Sequence, residues 1–196
     1  DELITEAGKW AAGIRKDFHR WPELGNEEYR TAERIERELD LLGIDNVRMI
    51  STGIVGNLKK NPEKRTVALR ADMDALPIQE TVSLPFASER KGLMHACGHD
   101  VHMAVLLGTA MVLSKIKDDI NGNVKFIFQP AEETSGGAKR MIRKGCLEPK
   151  TDFILGLHVK PDLPAGTIGV KFGKVHASSD LFHITVKGKN SHSAYP

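Results

Sequence analysis

The chain has 196 residues, 40% of them hydrophobic, enough for one well-filled core or one domain plus part of another. Its 28 basic and 26 acidic side chains leave a formal net charge of +2. They are interspersed, which excludes the basic stripe of a nucleic-acid binder and the one-signed surface that seeks acidic partners. Two cysteines make no disulfide scaffold, no apolar run reaches bilayer length, and Asp1-Glu2-Leu3-Ile4 lacks the basic and apolar regions of a signal peptide, so a reducing, cytoplasmic setting is expected.

The first forty residues look helical. Over Glu27–Leu42, the apolar positions Tyr29, Ala32, Ile35, Leu39 and Leu42 follow the 3.6-residue period, and Gly43 supplies a stop. The run Glu33-Arg34-Ile35-Glu36-Arg37-Glu38 reads as a solvated face. Gly53–Leu58 and Thr66–Ala71 are short β-prone runs on either side of the turn-like Lys60-Asn61-Pro62-Glu63. Residues 72–98 form a connection long enough to be functional or disordered. Asp100–Lys115 reads as a buried helix with Asp100 as its cap, Val124–Phe128 as a strand, Gly136–Lys144 as a short helix stopped by Gly145, and Phe153–Val159 as a strand. This alternation predicts an α/β domain with a mixed, largely parallel sheet flanked by helices.

A boundary is expected near Val175–Ser179, dividing the chain into residues 1–178 and 179–196. Beyond it, Leu181-Phe182-His183-Ile184-Thr185-Val186 alternates like a new strand, with His183 an ordinary strand histidine. One strand and a loop cannot fold alone, so the chain reads as a fragment of a longer protein.

The densest chemistry is His95-Ala96-Cys97-Gly98-His99-Asp100-Val101-His102, with one thiol and three imidazoles in eight residues. Ligands this dense point to a transition-metal site or a reactive thiol. The predicted strands end in Asp72-Met73-Asp74, in Gln129-Pro130-Ala131-Glu132-Glu133 and at His158. In an α/β sheet the carboxyl ends of strands line a shared crevice, so these groups are expected to converge with Cys97 and His99. One carboxylate of the Glu132-Glu133 pair would bind metal while its neighbour stays free as a general base. Cys146 reads as a small buried hydrophobe, and His158 taken alone as a hydrogen-bonded core histidine. His95 and His102 could be ligands, supporting groups or helix-end polar residues.

In this order the residues resemble the M20 metallopeptidase family, and in particular its amidohydrolase branch of hippurate hydrolases, N-acyl-amino-acid amidohydrolases, indoleacetyl-amino-acid hydrolases and N-acetyldiaminopimelate deacetylases. The resemblance is carried by Arg15-Lys16-Asp17-Phe18-His19-Arg20-Trp21-Pro22-Glu23-Leu24, Leu69-Arg70-Ala71-Asp72-Met73-Asp74-Ala75-Leu76-Pro77 and the His95–His102 segment. Phe128-Gln129-Pro130-Ala131-Glu132-Glu133, Gly156-Leu157-His158 and Gly188-Lys189-Asn190-Ser191-His192-Ser193-Ala194-Tyr195-Pro196 complete it.

The resemblance implies a zinc-peptidase-like catalytic domain, interrupted by an α+β lid that mediates dimerisation and begins at 179–196. It implies two divalent metal ions, Zn or Mn with Co or Ni also compatible, held by Cys97, His99, Glu133, His158 and a further His beyond Pro196. Glu132 would be the general base and later proton donor. Asp74 would orient a ligand, and Asp72 stands where the wider family has His. His192 would bind substrate and polarise the scissile carbonyl in the partner subunit's site. The implied reaction is hydrolysis of the amide of a small N-acyl amino acid, releasing a carboxylate and a free amino acid, with no nucleic-acid or membrane partner and a homodimer or higher oligomer through the lid. Two other readings stand beside it: a thiol hydrolase with Cys97 as nucleophile, and a non-catalytic metal- or ligand-binding relative. The roles of Asp72, His95 and His102 stay open.

Overall fold

A computed structural model describes residues 2–58, 61–134, 136–175 and 182–195. The chain divides into two units, Asp1–Val159 and Lys160–Pro196. The first contains α1 (Glu2–Arg20), α2 (Tyr29–Leu41), β1 (Asp45–Met49), β2 (Gly53–Leu58), β3 (Thr66–Asp72), α3 (His99–Lys115), β4 (Asn123–Gln129), α4 (Gly137–Arg143) and β5 (Phe153–Gly156).

The strands form one mixed sheet in the order β1-β2-β4-β3-β5. β1–β2 and β2–β4 pair antiparallel, and β3 pairs in parallel with both β4 and β5. The alternation of strands and helices therefore produced the mixed, helix-flanked sheet expected of it. β4 is buried along its whole length. Phe126 and Phe128 point into the main core with Ile14, Phe18, Ile35, Leu39, Met103 and Leu107 from α1, α2 and α3. Ile127 points the other way, against Val55, Ala68, Met141 and Cys146. A strand covered on both faces is largely apolar at its centre, as Phe126, Ile127 and Phe128 are, and the buried Lys125 is satisfied by donating its ammonium to the Cys146 and Glu148 carbonyls. Cys146 is the small buried hydrophobe its surroundings require.

Several elements depart from the expectation. The N-terminal helical region breaks at 21–28, where Pro22 lacks a backbone donor and Asn26 adopts φ 72°. Beyond that break, α2 ends as predicted, with Gly43 at φ 67° and the Ile44 N–H returning to the Leu39 carbonyl. β1 has no apolar alternation to announce it and exists because it pairs with β2. β5 stops at Gly156, leaving Leu157-His158-Val159 outside the strand.

Asp100 is not a cap. The position before α3 is Gly98, at φ 86° and without a side-chain cap bond, and Asp100 lies in the first turn. Its carboxylate faces inward and accepts from Arg15 Nε and His19 Nδ1, both at 2.8 Å. Local spacing suggested a cap; partners some eighty residues away on α1 took the group instead.

The second unit forms no helix or strand among its described residues; its one backbone bridge joins His192 and Tyr195. Of the alternating run, Phe182, Ile184 and Val186 are exposed and unstranded, because alternation makes a strand only when a partner strand supplies the ladder. Leu181 and the expected boundary between 178 and 179 lie outside the described residues. Among the described residues, no helix is long and apolar enough to cross a membrane.

The 73–98 connection is ordered by a latch. His19 on α1 is buried between Asp100 of α3 and Glu80 of the connection, which lies 3.1 Å from its Nε2. Glu80 also accepts from the Ser88 N–H at 2.6 Å, and the Phe86 ring meets the His19 ring edge-on. Arg15 and His95 also stand near Asp100, and Arg15 and Lys16 lie over the Phe86 ring. The Asp100 hydrogen bond raises the His19 pKa above its ordinary 6.5, against the opposing effect of burial and with help from Glu80. A raised folded-state pKa gives stability that is fully present below about pH 6.5 and is lost as pH rises through the folded value. The 73–98 segment should therefore exchange its amide hydrogens faster as pH rises through that window, after correction for intrinsic exchange. His19→Gln should flatten that dependence; an unchanged profile would remove His19 from the latch.

Candidate metal centre

β3 and β4 run parallel with Asp72 opposite Gln129, so both strands end at the same level. β5 pairs Gly156 with Arg70, which carries the following His158 to that edge too. α3 begins there, with Cys97 and Gly98 immediately before it. The expected convergence is therefore present: Asp72, Asp74, Cys97, Glu132, Glu133 and His158 gather around one histidine.

That histidine is His99, whose ring is buried. It belongs to three trios whose ligand atoms lie within 4.8 Å of one another: Cys97–His99–His158, Asp72–His99–His102 and His99–Glu132–Glu133. Cys97 Sγ stands 3.3 Å from His158 Nε2. His99 Nε2 stands 3.7 Å from Glu133 and 3.6 Å from Asp72, and its Nδ1 stands 3.4 Å from Asp74 Oδ1. None of these three contacts has hydrogen-bond geometry, so both buried ring nitrogens and Asp74 Oδ1 lack a bonded partner. Asp74 Oδ2 is satisfied by the Glu133 N–H at 3.0 Å.

Donors around a tetrahedral zinc at bond lengths of about 2.0–2.3 Å stand roughly 3.3–3.8 Å apart. The spacing of Cys97 from His158 and of His99 from Glu133 falls in that interval. Thiol, imidazole and carboxylate together form a donor set suited to a divalent transition metal. Orphaned buried nitrogens ringed by carboxylates fit a cation among them.

Electrostatics point the same way. Burial disfavours charge on Asp72, yet the His102 hydrogen bond, Arg70 and His99 hold its carboxyl at about 2. Asp74 is lowered despite burial by His99 and by the Glu133 and Glu132 amides. Burial opposes charge on His99, and the Asp74, Asp72 and Glu133 carboxylates outweigh it and raise its pKa. Burial first, then Glu133, Asp72 and Glu132, push the Cys97 thiol up to about 12. Asp72 and Asp74 are thus held ionised beside His99.

The Glu132-Glu133 loop is clamped from behind. Buried Glu28 accepts from the Ala131 N–H at 2.8 Å with one oxygen and from Thr52 Oγ1 at 2.7 Å with the other. Ala131 sits at φ 50°, a left-handed conformation that needs such support. Behind it, Gly137 packs so closely that a Cβ there would lie 1.8 Å from the Pro130 carbonyl oxygen. Sequence reading missed Glu28, since its partner lies 103 residues away and nothing local marks it. Glu28→Ala should destabilise the protein by about 1–3 kcal/mol, the cost of orphaned buried groups. Chemical denaturation measures this, and a change below a few tenths of a kcal/mol would show that the clamp is unimportant.

Of the remaining candidates, His95 is buried with both ring nitrogens unbonded, and burial holds its pKa down to about 4, so it is neutral. His192 belongs to the second unit, where it is exposed and accepts from the Ala194 N–H at 3.3 Å.

A mixed α/β sheet with a thiol–imidazole–carboxylate cluster at its parallel strand ends has the architecture of a metallopeptidase catalytic domain. The family model of peptidase family M20/M25/M40 matches residues 68–196, and the chain belongs to that family. It is 46% identical over 185 residues to N-acetylcysteine deacetylase of Bacillus subtilis, covering 93% of this chain and 48% of that protein. It is 41% identical over 198 residues to N-acyl-L-amino acid amidohydrolase of Geobacillus stearothermophilus, covering 100% and 52%. The crystal structure of the Bacillus subtilis YXEP protein, described as a dinuclear metal binding peptidase from the M20 family, superposes with a TM-score of 0.81 at 44% identity. That match covers 85% of this chain and 47% of the other. The chain spans about half the length of the curated relatives it matches.

Proposed function

We propose that the full-length protein is a metal-dependent amidohydrolase that cleaves the amide of small N-acyl amino acids into a carboxylate and a free amino acid. The observation that carries this reading is the buried His99, with both nitrogens unbonded, between the Cys97–His158 pair and the Glu132-Glu133 pair. The names of the relatives, a deacetylase and an amidohydrolase of acylated amino acids, support the same substrate class.

In this reading Cys97, His99, Glu133 and His158, with a ligand from the rest of the protein, hold two divalent ions, Zn or Mn, with Co or Ni also compatible. Bound ions supply Lewis-acid polarisation of the scissile carbonyl and acidify water. Glu132 takes the proton of the attacking water and delivers it to the departing amine nitrogen. Asp74 faces His99 Nδ1 and orients the ring, as outer carboxylates do for metal-binding histidines. Residues 1–178 belong to the catalytic domain and 179–196 open a lid through which two subunits pair. His192 then serves the partner subunit's site, binding substrate and polarising the carbonyl. The free thiols Cys97 and Cys146 suit a cytoplasmic setting. The raised Cys97 thiol argues against a thiol hydrolase, whose nucleophile needs a lowered pKa.

The test is a hydrolysis panel on the full-length protein: acetyl, benzoyl and indoleacetyl amino acids and N-acetyldiaminopimelate, each with Zn, Mn, Co and Ni. Turnover that vanishes on chelation and returns with metal is expected. A rate that survives chelation but not thiol alkylation would move the assignment to Cys97 as nucleophile. Silence across the panel would mark a binding protein.

A further inference from the structure

We propose that His102 is a positioning residue that sets the orientation of His158, with Asp72 and Arg70 holding it in place. This rests on the metal-centre reading above, in which His158 is a ligand and His102 had no role.

Although His102 shares a trio with Asp72 and His99, both its nitrogens are already committed. The Val159 N–H donates to His102 Nε2 at 3.0 Å, so that nitrogen carries the lone pair and the proton sits on Nδ1. His102 Nδ1 donates to Asp72 Oδ1 at 2.6 Å. Asp72 Oδ2 accepts from Arg70 Nη1 at 2.7 Å, and Arg70 grips Gln129 Oε1 with Nε at 2.9 Å and Nη2 at 2.6 Å. His102 and Asp72 are both buried, so neither gives these bonds up to water.

The other end of the chain of bonds reaches the ligand set. The Val159 carbonyl accepts from His158 Nδ1 at 2.7 Å, which leaves the Nε2 lone pair directed at Cys97 Sγ, 3.3 Å away. The backbone of Val159 thus links the two imidazoles: its N–H is held by His102, and its carbonyl fixes the tautomer of His158. Val159 is also seated against Gly98, where a Cβ would come within 2.4 Å of Val159 Cγ2. His158 itself is exposed and follows the end of β5, so it has no strand ladder of its own to hold it. Outer groups that orient a metal-binding histidine typically change metal affinity by roughly 10–100-fold.

Two substitutions separate the halves of this link. His102→Asn keeps a donor near Asp72 and removes the acceptor for Val159. His102→Gln places an oxygen where Nε2 stood and keeps the acceptor. In the full-length protein, zinc affinity is measured by chelator competition, with the thiolate–cobalt absorption of the Co-loaded form as a second readout. H102N is expected to weaken zinc roughly 10–100-fold and shift the cobalt band. H102Q should recover most of the affinity, and H102N should cost nothing further in a His158→Ala background. Wild-type affinity in H102N, equal losses in H102N and H102Q, or the same loss with and without His158 would each overturn the proposal. So would loss of the folded metal-free state in both variants, which would assign His102 to the core. A wild-type protein that binds no metal sinks the metal-centre reading itself, and this inference with it. Because the readout is metal affinity, a protein inactive on every N-acyl amino acid still decides the matter.

Discussion

Glu132→Gln in the full-length protein is expected to lower kcat on its best N-acyl amino acid by at least ~10²-fold, the lower end of what a general base contributes, while metal content stays near that of wild type. Glutamine matches glutamate in size and keeps one carbonyl acceptor, so the loop keeps its packing and loses only the ability to take a proton. That loop is held independently of the Glu132 side chain, by Glu28 on the Ala131 N–H and by the Ala131 carbonyl accepting from the Gly137 N–H at 3.2 Å. A fall in kcat with little change in KM would place the loss at the chemical step. A near-normal rate would remove Glu132 from catalysis. A parallel fall in metal content, read by elemental analysis, would instead make it a ligand and overturn the division of labour between Glu132 and Glu133.

The convergence behind this expectation was legible because it depends on sheet geometry. Apolar runs marked β3 and β4, and once two strands are parallel and in register their ends must share an edge. The residues following Ala71, Phe128 and Leu157 could therefore be placed together without coordinates. Groups whose role is set by distant partners were not legible. Asp100 has the local signature of a cap and the tertiary role of a buried carboxylate between Arg15 and His19. Glu28 looks like any turn acid until Thr52 and Ala131 are brought to it. His102 could not be assigned because its meaning lies in Asp72 and Val159, thirty and fifty-seven residues away. β1 shows the same limit in the fold: Asp45-Asn46-Val47-Arg48-Met49 carries no pattern, and its strand is conferred by β2. The run around Phe182 is the converse, a pattern with no strand beside it among the described residues.

Cys97→Ser carries the second large effect, and it separates the two enzyme readings. A serine hydroxyl is a harder and far less acidic donor than a thiol, and transition-metal sites that use thiolate lose their soft ligand with it. Cys97 Sγ lies against His158 Nε2, and both atoms share a trio with His99, so the substitution removes one corner of the donor set and leaves the fold's cores untouched. Zinc affinity should fall by more than the roughly 10–100-fold expected for loss of an outer partner. If the thiol acts only as a ligand, turnover in C97S should be poor at stoichiometric metal and climb as metal is added in excess, because occupancy is what was lost. If the thiol were the nucleophile, no amount of metal would restore the rate, since the attacking atom itself would be gone. The metal-dependence of C97S activity, rather than its magnitude at any one concentration, therefore assigns the role of Cys97.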